Sequence, residues 1–79
     1  MSDNAIIIRH ETLRKIHEHV EHARIKHSWP PKMGHVMKFL ILESEVNELA
    51  RSMLKNDLRG IREEALDAIA VLVRIVEGE

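Results

Sequence analysis

Residues 65–76 are apolar at every position except Asp67 and Arg74. A helix that is apolar all the way round is buried on several sides. The chain has 79 residues, and three helices cut from that length hardly cover such a segment. A core of this size is marginal by itself. Cysteine is absent, so neither a disulfide framework nor a thiolate metal site reinforces it. Association with a second copy is the remaining common solution. The expectation is an all-α chain, one domain over residues 1–79, whose three-helix protomer completes a multi-helix bundle by homo-oligomerisation.

The apolar pattern predicts helices over about 8–27, 33–56 and 61–77. In the first, Leu13, Ile16, Val20 and Ala23 recur at spacings of three and four on an otherwise charged segment. It stops at Ser28-Trp29-Pro30-Pro31, because consecutive prolines do not sit inside a helix and the residue before a proline is driven to extended geometry. The second carries an apolar series from Val36 to Leu54. Asn56-Asp57 marks a turn, and Gly60 either belongs to that turn or opens the third helix. Aromatic residues are 3% of the chain, with three glycines and two prolines, which disfavours a β-sandwich.

Twelve basic against 13 acidic residues leave a formal net charge of −1. That balance lacks the basic footprint of a nucleic-acid binder. No apolar run approaches the length of a membrane span. Residues 1–9 include Asp3 and only the short run Ile6-Ile7-Ile8, too little for the apolar core of a signal peptide. A cytoplasmic protein with no membrane or nucleic-acid partner is expected.

Four acids carry the chemistry. Glu45 and Glu48 are three apart, which puts them on one face of the second helix. Glu64 and Asp67 repeat the spacing on the third. Packed antiparallel, two such helices aim four carboxylates at one volume, and metal sites in helical bundles are built from facing helices in this way. Mg2+ takes oxygen ligands, commonly one or two carboxylates with waters and substrate phosphates. A Glu-x-x-Glu pair alone also describes a solvated helix face. Asp67 is different, being a weak helix former inside an apolar run. A buried carboxylate is costly unless paired or bound to a metal. Arg74 is two turns further on, roughly 10 Å along the axis, too far to pair within one helix. Asp67 therefore needs something from outside its own helix, and Mg2+ or Mn2+ meets that need.

The segments Leu42-Glu43-Ser44-Glu45-Val46-Asn47-Glu48-Leu49-Ala50 and Glu63-Glu64-Ala65-Leu66-Asp67-Ala68 resemble the MazG-like all-α nucleoside triphosphate pyrophosphohydrolases. That family carries Glu-x-x-Glu, a spacer, then Glu-x-x-Asp, and the resemblance spans residues 33–76. It implies a helical dimer, or a tetramer built from dimers, that binds Mg2+ through Glu45, Glu48, Glu64 and Asp67. It further implies cleavage between the α and β phosphates of an NTP or dNTP, giving the monophosphate and pyrophosphate. Lys55 stands where many members place a basic residue after the first acidic pair, which implies a phosphate contact. Ser44 and Asn47 depart from the pattern, many relatives having Glu and Gly there. A phosphoribosyl-ATP pyrophosphohydrolase shares the same acids, and a non-enzymatic helical dimer shares the apolar third helix.

Other residues bear on substrate. Lys38 lies two turns before Glu45 on a similar face, and with Lys55 and Arg59 it can balance phosphate charge. Trp29 offers a π-face to a nucleobase. His10, His17, His19, His22 and His27 fall on the first helix, interleaved with glutamates. Zinc wants three or four converging ligands, so these histidines read as a wet, pH-responsive face.

Overall fold

The computed structural model describes residues 7–79. Three helices, α1 (His10–Lys26), α2 (His35–Leu54) and α3 (Leu58–Val76), follow one another, and no strand occurs among the described residues. Residues 1–6, part of the segment read against a signal peptide, lie outside them. Among the described residues no helix is long and apolar enough to cross a membrane.

The helix boundaries follow local hydrogen bonding. Met33, expected inside the second helix, instead donates its N–H to Pro30 O at 3.1 Å, so the link from the double proline is a turn and α2 begins at His35. At the other end of α2, Asn56 adopts φ 54°. Its N–H reaches Met53 O at 3.1 Å, and the N–H of Asp57 reaches Ser52 O at 3.0 Å. This pair of bonds is a Schellman ending, with asparagine in the left-handed position that glycine usually takes. Asp57 then caps α3 by accepting the Gly60 N–H at 3.0 Å, satisfying an otherwise unpaired first-turn donor. The cap starts α3 three residues before position 61 and places Gly60 within its first turn. A Cβ on Gly60 would collide with Asp57 Oδ2 and come within 2.8 Å of Ser52 Oγ, so a larger residue there would displace the side chain that caps α3.

α3 is the central element. Both α1 and α2 pack on it and not on each other. The buried positions are Val20 of α1 and Ala68, Ala70, Val71 and Arg74 of α3. The small side chains of Val20, Ala68, Ala70 and Val71 allow close helix approach, and the molecule is 20 Å through its thinnest dimension, about two helix diameters. α2 contributes no buried residue. Val36, Phe39, Val46 and Met53 are 73%, 58%, 46% and 53% exposed. The apolar surface left uncovered is therefore chiefly that of α2, whereas the sequence pointed to α3.

Arg74, the second polar residue of the apolar run, is 3% exposed. Its Nη1 donates to His27 O at 3.0 Å, a carbonyl that the end of α1 leaves without a helical partner, and to Ala23 O at 3.4 Å, which also accepts the His27 N–H. Gly78, at φ 79°, turns the chain so that the Glu79 N–H reaches Arg74 O at 3.0 Å. The Glu79 carboxylate then accepts from Arg74 Nε at 2.8 Å and from Arg24 Nε at 2.6 Å. These contacts lock the ends of α1 and α3 side by side, with both helices running in the same direction.

Candidate metal centre

Because α2 and α3 are antiparallel, Glu45 of α2 comes opposite Glu64 and Asp67 of α3. Each of the three offers an oxygen within 4.8 Å of the others, and all three are half-buried. Glu48, one turn along α2, is close enough to act on both Glu45 and Glu64 electrostatically. Its own carboxylate accepts from Arg51 Nη1 at 2.7 Å. Three of the four expected acids thus converge, and the fourth stands beside them on an arginine.

The grouping is electrostatically unfavourable when empty of positive charge. Burial raises the Glu45 pKa above the usual carboxylate range, and the charges of Asp67 and Glu48 push it the same way. Glu64 is raised by burial first, then by Asp67, Glu48 and Glu45, with a hydrogen bond to Asp67 adding to the effect. Burial and like charges both disfavour the ionised form. Among the described residues no lysine or arginine is paired with Glu45, Glu64 or Asp67. An oxygen-only, half-buried set with no basic counter-charge suits a hard dication. Asp67 is less enclosed than its apolar neighbours led the sequence to imply. Its side chain is 45% exposed and faces His19 of α1 across a cleft.

That cleft has a volume of about 850 Å3 and lies between α1 and α3 beside α2. Its ends differ in charge. Glu18, Glu45, Glu63 and Asp67 line one end; Lys26, His27, Trp29 and Arg74 line the other. The parallel course of α1 and α3 creates this gradient, setting His19 against Glu63 and Asp67 and His27 against Arg74. No protein-family model, curated protein or solved structure matches the chain.

The candidate substrate contacts fall in different places. Trp29 lines the cleft, but the Arg74 guanidinium lies over its ring, 4.0 Å from the centroid. Lys38 Nζ approaches the same ring at 5.7 Å. Lys55 closes the end of α2 and is exposed there, outside the cleft lining. Arg59 is exposed in the first turn of α3.

His19 lines the cleft, a position the sequence reading did not assign to it. The alternation of histidine and glutamate on α1 reads as a wet face, and His17 at 75% side-chain exposure fits that reading. His19 is 22% exposed, with Nε2 3.5 Å from Glu63 Oε1 and 3.8 Å from Asp67 Oδ1. A signal was present in the sequence. Position 19 lies three residues after Ile16 and four before Ala23, inside the apolar stripe that faces α3.

Proposed function

We propose that this chain is a Mg2+-dependent nucleotide pyrophosphohydrolase of the MazG-like kind, converting an NTP or dNTP to the monophosphate and pyrophosphate. The observation that carries the reading is the meeting of Glu45, Glu64 and Asp67 from antiparallel helices within 4.8 Å, in the order and spacing of that family's acids. Glu45, Glu64 and Asp67 would hold the cation, and Glu48 completes the set if its side chain leaves Arg51. A bound Mg2+ (or Mn2+) supplies charge neutralisation to the phosphates and acidifies water.

The remaining work falls to the chain. The acidic end of the cleft excludes an anion unless it arrives with a cation, which selects a metal-complexed polyphosphate. The proton of the attacking water passes to a cleft carboxylate. Glu63, outside the three-acid group and on the cleft wall, is placed for it. Lys26 and Lys38 attract the rest of the anionic substrate, and the part of the Trp29 ring not covered by Arg74 receives the base. A second copy covers the exposed apolar face of α2, giving the homodimer or dimer of dimers.

Pyrophosphate release from a panel of ribo- and deoxyribonucleoside triphosphates with Mg2+ tests the reading, with Asp67→Asn as the control. Release by the unmodified chain that disappears in a folded Asp67→Asn supports it. The exposed face of α2 favours a second reading, a non-enzymatic helical dimer that acts as an interaction module. Concentration-dependent dimerisation with no pyrophosphate release from any triphosphate, or from phosphoribosyl-ATP, would select it.

A further inference from the structure

Two arginines from different helices close on one carboxylate beside the double-proline link. Arg24 of α1 donates from Nε to Glu79 Oε2 at 2.6 Å. Its Nη2 lies against the same oxygen and donates to Glu77 Oε1 at 3.0 Å. Arg74 of α3 donates from Nε to Glu79 Oε1 at 2.8 Å. Nε and Nη2 share one edge of the planar guanidinium fork, so each arginine turns that edge towards Glu79. The carboxylate does not fill the pair. Among the described residues Nη2 of Arg74 makes no hydrogen bond, although the residue is buried, and a buried donor left unmade is costly. Nor does Arg74 depend on Glu79 for its position. The Trp29 ring holds its guanidinium by the face, and the carbonyls of Ala23 and His27 hold it by Nη1.

The Glu79 carboxylate is carried on a short arm. Gly78 takes φ 79° with open space where a side chain would be. Beyond it the arm is held by the Glu79 N–H to Arg74 O and by the two arginines. Both arginines, with Ser28, Trp29 and the double proline, line a pocket of about 350 Å3 on which Glu79 borders. We propose that Arg24 and Arg74 form an oxyanion site, that Glu79 is its internal occupant, and that a phosphate-type oxyanion displaces Glu79 as the arm swings about Gly78. A phosphate group offers more acceptor oxygens than a carboxylate and takes both fork edges bidentately, including the unspent Nη2. Once Glu79 withdraws, two guanidinium charges face the single Glu77 carboxylate, which favours an anion. Ser28, Trp29 and Arg74 line both this pocket and the large cleft, so an anion here bears on the basic end of the cleft through the Arg74–Trp29 stack. The site stands independently of the metal centre and of the hydrolase reading.

The test uses the full chain without metal, at low ionic strength, with inorganic phosphate as the probe. The Nε–Hε resonances of Arg24 and Arg74 are followed by NMR, with sodium chloride at matched ionic strength as the blank. Saturable shifts at both arginines are expected, together with shifts at the amides of Gly78 and Glu79. A site that its own carboxylate leaves open about a tenth of the time binds about tenfold more weakly than an open one. Glu79→Gln is therefore expected to take phosphate about tenfold more tightly, and Glu79→Gln/Arg24→Gln to lose that gain. A nucleoside monophosphate in place of phosphate separates the two sources of the oxyanion. Equal affinity assigns the site to the free ion, and clearly tighter binding assigns it to the phosphoryl group of a nucleotide. Phosphate affinity in Glu79→Gln no higher than in the unmodified chain, or arginine resonances that move no more than in chloride, overturns the proposal and leaves Glu79 a structural clasp. Should Glu79→Gln fail to fold, the unmodified chain decides: the absence of saturable movement at Arg24 and Arg74 overturns the site, and its presence upholds it.

Discussion

The guanidinium of Arg74 lies over the ring of Trp29, 4.0 Å from its centroid. Arg74 donates at the same time to His27 O, Ala23 O and the Glu79 carboxylate. One buried side chain thus holds the double-proline link, the end of α1 and the end of α3, and forms the basic wall of the cleft.

Replacing Arg74 by methionine keeps the apolar stem and removes the fork. Buried hydrogen-bonding partners left unpaired cost more than the net value of the bonds themselves, so the loss is about 2–3 kcal/mol. Arg74→Lys retains the charge but not the planar stack or the multiple donors, and recovers less than half of it. Trp29→Leu loses the cation–π contact and costs about 1–2 kcal/mol. Urea denaturation of the three variants checks the ranking.

Glycine inside a helix is normally improved by alanine, by about 1 kcal/mol. At Gly60 the sign reverses, because the new Cβ displaces the Asp57 side chain that caps α3. Gly60→Ala is expected to lower stability, and Asp57→Ala to lower it by about 1 kcal/mol. The double variant is less destabilised than the sum of the two, since once the cap is gone the Cβ has less to displace. A strictly additive result in denaturation would show that the collision is not what makes Gly60 necessary.

The three acids disfavour one another's charge, and on the proposed function a bound cation removes that penalty. Mg2+ at one hundred times its Kd is expected to stabilise the fold by about 2.7 kcal/mol, read as a rise in melting temperature. Asp67→Asn removes one charge, so the variant without metal melts higher than the unmodified chain and no longer responds to Mg2+. Glu48→Gln keeps most of the response, because Glu48 is engaged by Arg51 and stands outside the close group.

The pH dependence without metal has two opposing parts. Glu45 and Glu64 have pKa values raised above the usual 4.5, so the folded state holds protons that the unfolded state releases. Their penalty is fully present above the raised values and disappears as pH falls from there towards 4.5. Glu79 is lowered below 4.5, first by its hydrogen bond from Arg24 and then by that from Arg74. Its stabilisation is present above 4.5 and is lost as pH falls through its lowered value. Mild acidification should therefore stabilise the metal-free protein before stronger acid unfolds it. Melting curves across that range should lose the initial rise in Glu45→Gln/Glu64→Gln and lessen the acid loss in Glu79→Gln.

Spacing along the chain determined a good deal. Leu13, Ile16, Val20 and Ala23 mark α1, the double proline ends it, and Asn56-Asp57 divides α2 from α3. These are local effects of backbone geometry, and they were legible to within a few residues. The three-residue spacing of Glu45 with Glu48 and of Glu64 with Asp67 likewise put each pair on one helix face. Which faces meet was decided only by the tertiary structure. Helical periodicity states which residues are neighbours on a cylinder, but not how that cylinder is turned against the next. Packing turned Glu45 onto Glu64 and Asp67 and left Glu48 with Arg51. It brought His19 in from a face that read as wet and buried Arg74 against Trp29. It also left the apolar face of α2 bare, because α1 and α2 both settle on α3 and neither covers the other.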